Sequence, residues 1–123
     1  MLMQQHRFGK KSECIAVKHL KKRKYKILEE NYRTKLGEID IIAKDGDTIA
    51  FVEVKSKRSD HFGNPKGAVT PQKQRKISMV ALQYLKATNQ SHHKARFDVV
   101  AIRLINNKPN IELIKNAFEI AYK

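Results

Sequence analysis

Gly37-Glu38-Ile39-Asp40-Ile41-Ile42-Ala43 and Ile49-Ala50-Phe51-Val52-Glu53-Val54-Lys55 are two apolar stretches joined through Asp45-Gly46, and their reading decides the fold. Asp-Gly favours a two-residue hairpin turn, and that turn sets Lys44 opposite Asp47, Ile42 opposite Ile49, Asp40 opposite Phe51 and Glu38 opposite Glu53. Side chains alternate along a strand and opposed residues share a face. Asp40, Glu53 and Lys55 therefore point the same way, with Asp40 diagonal to Glu53 at about 7–8 Å between alpha carbons. A slip of one residue would send Asp40 to the other face. Two carboxylates and an ammonium in the apolar middle of a sheet cost several kcal/mol unless compensated, and a metal ion is a natural compensator.

The residue types suit phosphodiester hydrolysis. Hard carboxylate oxygens hold Mg²⁺ or Mn²⁺ and leave water positions free, so that the ion can polarise a phosphate and acidify an attacking water. Lys55 can orient that water or stabilise the charge that develops on the phosphate.

On these residues the chain resembles the PD-(D/E)xK (restriction endonuclease-like) nuclease superfamily, and within it the YraN-like family of small bacterial proteins, related in fold to archaeal Holliday-junction resolvases. The resemblance runs through Arg7-Phe8-Gly9 with Glu13, Asn31-Tyr32-Arg33, Gly37-Glu38-Ile39-Asp40, Phe51-Val52-Glu53-Val54-Lys55, Phe62-Gly63 with Pro65, Ala68-Val69, Lys73-Gln74 and Arg96-Phe97-Asp98. It departs at Ser12, where the family usually has glycine, and serine is a good helix N-cap. The resemblance implies an α/β fold with an αβββαβ core, a mixed central sheet flanked by helices. Asp40 and Glu53 would be its metal ligands, Glu13 would complete or water-link the metal shell, and Lys55 would act on the attacking water.

Composition agrees. A chain of 123 residues is the size of a single domain spanning 1–123, with 26 Lys and Arg against 12 Asp and Glu and a net charge of +14. That excess points to a polyanion, because neutralising phosphates releases counterions whatever the sequence. No basic stretch carries the bulky apolar face of a membrane-surface helix. Cys14 is the only cysteine, which excludes an intrachain disulfide, and its slot on an apolar helix reads as a small core residue. With no signal-peptide or membrane-span pattern, the expected location is cytoplasmic.

Outward from the hairpin, helix 1 is expected from about Ser12 to Lys24 and a first strand over Tyr25 to Tyr32. Ser56 to Val69 reads as a long functional loop. Thr70 and Pro71 form the N-cap and first position of a second helix carrying Ile77, Val80, Ala81, Tyr84 and Leu85 and ending near Thr88 and Asn89. A strand over Phe97 to Leu104, a turn at Asn106-Asn107, a strand over Ile111 to Lys115 and a short helix over Ala117 to Tyr122 follow. The helix between the third and fourth strands implies that they are parallel.

Other candidates read in two ways. Glu13 shares a helical stripe with Ala16, Val17 and Leu20, as a ligand facing inward or as a first-turn charge on the helix dipole. Lys73, one turn before Ile77, either snorkels to solvent or contacts phosphate. Lys57, Arg58, Lys73, Arg75 and Lys76 are the candidate nucleic-acid contacts, tracking the backbone without reading sequence. Lys21 to Lys24 serve either that role or the helix dipole. Asp98 among Val99, Val100 and Ile102 reads as a structural ion pair, and Glu38 as an acid supporting the metal ligands or an edge charge. His92-His93 lacks a third ligand nearby, and the four tyrosines read as core or edge residues.

The expected function is a magnesium- or manganese-dependent nuclease acting on DNA, with branched and single-stranded forms as candidate substrates and room for a homodimer. The alternative is a non-catalytic DNA- or RNA-binding protein that keeps the fold. An enzyme on a small phosphorylated substrate would not need so large a charge.

Overall fold

The computed structural model describes residues 2–57 and 69–119, with side chains described for 11–56 and 69–119. Its elements are α1 (Leu2–Lys22), β1 (Lys26–Thr34), β2 (Gly37–Asp45), β3 (Thr48–Lys57), α2 (Pro71–Ala87), β4 (Lys94–Ile105) and β5 (Lys108–Phe118). The five strands form one sheet in the order β1-β2-β3-β4-β5. Only the central pair, β3 with β4, is parallel, and the other three pairs are antiparallel. This is the mixed α/β sheet expected, with the crossover through α2 where the parallel pair requires it.

Strand alternation sorts the core into two layers. Ile49 and Phe51 pack with Ile77, Val80, Tyr84 and Leu85 of α2, while Ala50 and Val52 pack with Ala16, Val17 and Leu20 of α1. The helices therefore lie on opposite faces of the sheet. On the α2 side, Tyr84 meets Tyr32 and Phe51 edge to face, with ring centroids 5.2 and 5.9 Å apart.

Both helices end in the same device. Tyr25 N–H donates to the Leu20 carbonyl and Lys24 N–H to that of Lys21, with Lys24 left-handed at φ 72°. Gln90, Lys86 and Leu85 repeat the pattern around Asn89 at φ 57°. These are Schellman closures that satisfy the last carbonyls, and the first one delivers Tyr25 back onto Leu20 in the α1-side core.

Four expectations need correction. α1 begins at Leu2, not near Ser12: most of the preceding residues, Leu, Met, Gln, Arg and Lys, are good helix formers that carry the helix through Gly9, and Ser12 is a buried mid-helix residue and caps nothing. Glu13 is consequently far from the first turn, so the dipole reading of it falls. Cys14 is exposed, because two residues turn about 200° away from both Ser12 and Ala16, which carry the buried stripe. At the other end, Ala117 and Phe118 belong to β5 and not to a helix, since Phe118 pairs with Phe97 and stacks on its ring at 4.7 Å. The rest of the expected short helix, 120–123, lies outside the described residues. The Asn106-Asn107 turn stands as read, with φ of 53° and 63°, the primed hairpin geometry that asparagine tolerates.

The fourth correction concerns the β2–β3 register. Asp45 pairs with Thr48, Lys44 with Ile49, Ala43 with Ala50 and Ile42 with Phe51. The two-residue loop is therefore Gly46-Asp47, with Gly46 at φ 62°, and the register differs by two from an Asp45-Gly46 turn. A shift of two preserves every face. The pairing ends at Ile41 with Val52, directly beside Asp40 and Glu53.

Candidate active site

The site lies in the second half of β3 and the facing part of β2, beneath the first turn of α2. The β2–β3 ladder runs regularly from Asp45 with Thr48 up to Ile41 with Val52. There the Asp40 carboxylate takes over: its Oδ2 accepts the Val54 N–H at 2.8 Å. The alternation of β2 also breaks at this point, because Ile41 packs on the α1 side whereas Ile39 packs on the α2 side. Asp40 thus serves both as side chain and as a substitute backbone acceptor.

Glu53 is 3 % exposed in the middle of the sheet, and Lys73 of α2 reaches down to place Nζ 2.9 Å from its Oε2. The approach is close but poorly aligned, so Glu53 Oε2 has no well-directed hydrogen-bond donor among the described residues. Thr70 sets the position of Lys73: its hydroxyl accepts the Lys73 N–H at 3.2 Å as the N-cap. Gln74 adds a second tie, donating from Nε2 to the Val69 carbonyl at 2.8 Å.

The charges strain against their surroundings. Burial and the Asp40 carboxylate push the Glu53 carboxyl up to about 7, even against Lys73 and Lys55. Burial also raises Asp40, although the Val54 N–H and Lys73 pull the other way. Lys55 is lowered by burial and by its contact with Lys73. Burial opposes charge on Lys73 too, but Glu53, Lys55 and Asp40 outweigh it and hold Lys73 above its ordinary value. Two carboxylates and two lysines thus share one poorly hydrated spot.

The structure brings Asp40, Glu53, Lys55 and Lys73 together. It places Glu13 nearby, half-buried on α1, its carboxyl raised chiefly by burial, with the Asn31 side chain pulling it down and Asp40, Glu38 and Glu30 adding repulsion. Asn31 holds φ 53° within β1, a conformation that asparagine accepts more readily than most residues. Glu13 does not join a three-carboxylate cage, since no group of three or more His, Cys, Asp or Glu among the described residues converges on a metal position. Glu38 pairs instead with Arg33 at 3.1 Å, with both side chains more than half exposed. It is an edge charge.

Among the basic candidates, Lys76 lines an open cavity of about 320 Å³ with Thr70, Gln72 and Lys73 beside the carboxylates. Arg75 is exposed on α2 and is not part of that lining. Lys57 is described only in its backbone, and Arg58, Phe62, Gly63, Pro65 and Ala68 lie outside the described residues. Sequence reasoning had Lys73 on the inward stripe but missed its partner, because nothing local shows which strand residue a crossing helix will meet.

Asp98 belongs to a different network. Fully buried, it accepts from Tyr25 Oη at 3.0 Å, Arg96 Nε at 2.9 Å and Asn116 N–H at 3.0 Å. Arg96 continues to Asp45, which Lys115 also approaches at 3.3 Å. The structural reading of Asp98 holds.

Fold and site together define a three-layer α/β protein whose charged cluster sits toward the carboxyl end of a central parallel strand. The description "Uncharacterised protein family UPF0102" matches residues 12–102. A UPF0102 protein of Syntrophus aciditrophicus is 54 % identical over 121 residues, covering 98 % of this chain and 95 % of that one. One of Geobacter metallireducens is 53 % identical over 114 residues, covering 93 % of each. One of Caldicellulosiruptor saccharolyticus is 47 % identical over 118 residues, covering 94 % of this chain and all of its own. The chain belongs to the UPF0102 family, the YraN-like group to which its motifs pointed.

Proposed function

We propose that this protein is a metal-dependent nuclease of the restriction endonuclease-like superfamily, hydrolysing phosphodiester bonds in DNA with weak sequence preference. The observation that carries the reading is the pair of Asp40 and Glu53 on adjacent strands, the first half-buried and the second buried, both pushed toward protonation. Carboxylates so placed are costly to the fold and suit a hard divalent cation. The donor set fits Mg²⁺, which takes one or two protein carboxylates and fills its remaining positions with water and phosphate oxygen. Glu13, close enough to Asp40 for their charges to repel, would act on the site through its charge.

When bound, the ion supplies phosphate polarisation and an attacking water of lowered pKa. The chain does the rest. Asp40, fixed by the Val54 N–H, and Glu53 would be the residues that hold the ion. Lys55, held below its ordinary pKa, directs a proton toward the developing charge or orients the attacking water. Lys76 and the adjoining cavity receive neighbouring phosphates. Asp45, Asp47 and Asp98 pair internally with lysine and arginine, and the net charge of +14, from which every acid is already subtracted, suits such a polyanion. A nucleic-acid-binding protein without catalysis would use the same charge, but gains nothing from buried carboxylates that repel phosphate.

The test is cleavage of labelled linear, single-stranded, flapped and four-way-junction DNA, with RNA alongside, in Mg²⁺, Mn²⁺ or chelator. Lys55→Ala is expected to lose about 10²-fold or more in rate while binding DNA almost normally in Ca²⁺. Cleavage unchanged in Lys55→Ala rejects this mechanism, and wild-type protein that binds DNA without cutting it supports the binding reading.

A further inference from the structure

The contact between Lys73 and Glu53 has no place in the hydrolytic scheme above. Lys73 Nζ lies 2.9 Å from Glu53 Oε2, where a cation serving that carboxylate belongs. With Glu53 only 3 % exposed and the ammonium over its free oxygen, an arriving divalent ion meets Lys73 first. Charge counting makes the conflict plain. Asp40 and Glu53 are already balanced by Lys55 and Lys73, so an added divalent ion is repelled by two ammoniums at short range in a medium less polar than water. One ammonium has to leave.

Lys55 is the ammonium that the hydrolytic scheme keeps at the site. Lys73 hangs from the first turn of α2 with a side chain 43 % exposed, and it borders the open cavity formed with Thr70, Gln72 and Lys76. Its long stem can swing there without disturbing the Thr70 cap, which holds the backbone and not the side chain.

We propose that Lys73 is the built-in counter-cation of the carboxylate pair, displaced from Glu53 when a divalent metal binds and then engaging a phosphate of the nucleic acid. Metal and nucleic acid then strengthen each other's binding, because each favours the arrangement in which Lys73 has left Glu53, and linkage makes the effect reciprocal. The inference rests on the metal-site reading of Asp40 and Glu53, and makes Lys73 a positioning residue.

The experiment is Mn²⁺ titration calorimetry on the full chain as wild type, Lys73→Gln, Lys73→Arg and Asp40→Asn, with and without a short duplex bearing uncleavable phosphorothioates. Lys73→Gln is expected to bind Mn²⁺ about tenfold more tightly than wild type, Lys73→Arg to stay close to wild type, and Asp40→Asn to bind weakly. The duplex is expected to strengthen Mn²⁺ binding several-fold in wild type and not in Lys73→Gln. A second measurement needs no variant: acylation of Lys73 in wild type by an N-hydroxysuccinimidyl ester, followed by peptide mass spectrometry, is expected to quicken several-fold when Mn²⁺ is added. Mn²⁺ affinity equal or lower in Lys73→Gln, or an unchanged acylation rate in protein that binds Mn²⁺, overturns the displacement and leaves the metal site standing. No Mn²⁺ binding in wild type and Lys73→Gln alike, or full binding in Asp40→Asn, overturns the metal site and the displacement with it.

Discussion

At the scale of single residues, Asp40 has two separable duties. Its charge faces Glu53, and its oxygen replaces a ladder acceptor for Val54 N–H. Asn at this position keeps an acceptor and removes a like charge, so Asp40→Asn is expected to melt at or above the wild-type temperature in chelator while Mn²⁺ affinity falls at least about tenfold. Asp40→Ala removes the acceptor as well and is expected to lose about 1.5–3 kcal/mol, the usual worth of a hydrogen bond to a charged group. Denaturant titration of both variants in chelator checks this, and equal stabilities would show that the Val54 bond contributes nothing. Asp40, Glu53 and Lys55 were legible in the sequence because face depends only on parity, which survived a turn misplaced by one residue at each end. The Lys73 to Glu53 pair was not, since it depends on how α2 lies over the sheet.

At the scale of elements, the sequence misled wherever a local signal met tertiary packing. Ser12 looked like a helix start, yet it is 2 % exposed inside α1, with a hydroxyl that has no partner among the described residues. Ser12→Ala removes that hydroxyl and improves helix propensity, so it is expected to stabilise the protein by about 1 kcal/mol. Thermal melting should show a rise of about 3–6 °C for a domain of this size, and a lower melting temperature would mean that the hydroxyl is satisfied after all. α2 was read correctly at both ends because its signals are local: Thr70 with Pro71 at the start and the left-handed Asn89 after Thr88. The end of β5 was misread because Ala117 and Phe118 form a strand only through Phe97, which the local sequence does not contain.

At the scale of the whole molecule, the Tyr25, Asp45, Arg96 and Asp98 network ties the end of α1 to β2, β4 and β5. The Arg96 guanidinium, with Lys115 behind it, holds the Asp45 carboxyl below its ordinary value. A carboxyl depressed in the folded state stabilises the protein above its unfolded pKa, near 3.9, and that contribution is lost as pH falls through the lower folded value. Asp45→Asn is therefore expected to be less stable than wild type by about 1–2 kcal/mol at pH 7, with the gap closing between about pH 4 and pH 2. Urea titrations at pH 7, 4 and 3 give the comparison, and a gap that stays constant would mean that the charge of Asp45 is irrelevant. Asp98 was visible in the sequence as half of an ion pair, without its partner Arg96. Their extension to Asp45 and Tyr25 was not, because it joins residues that only the finished sheet makes neighbours.

The parallel pairing at the centre of that sheet also dictates an order of events. β1, β2 and β3 can meet through short turns, as can β4 and β5, but β3 meets β4 only after the chain has travelled through α2. Contacts so distant along the chain form slowly. Glu53, opposite Val99 on β4, and Lys73, on the connecting helix, acquire their surroundings only at that step. A chain made only as far as α2 thus carries every residue of the cluster before β4 is there to bury Glu53.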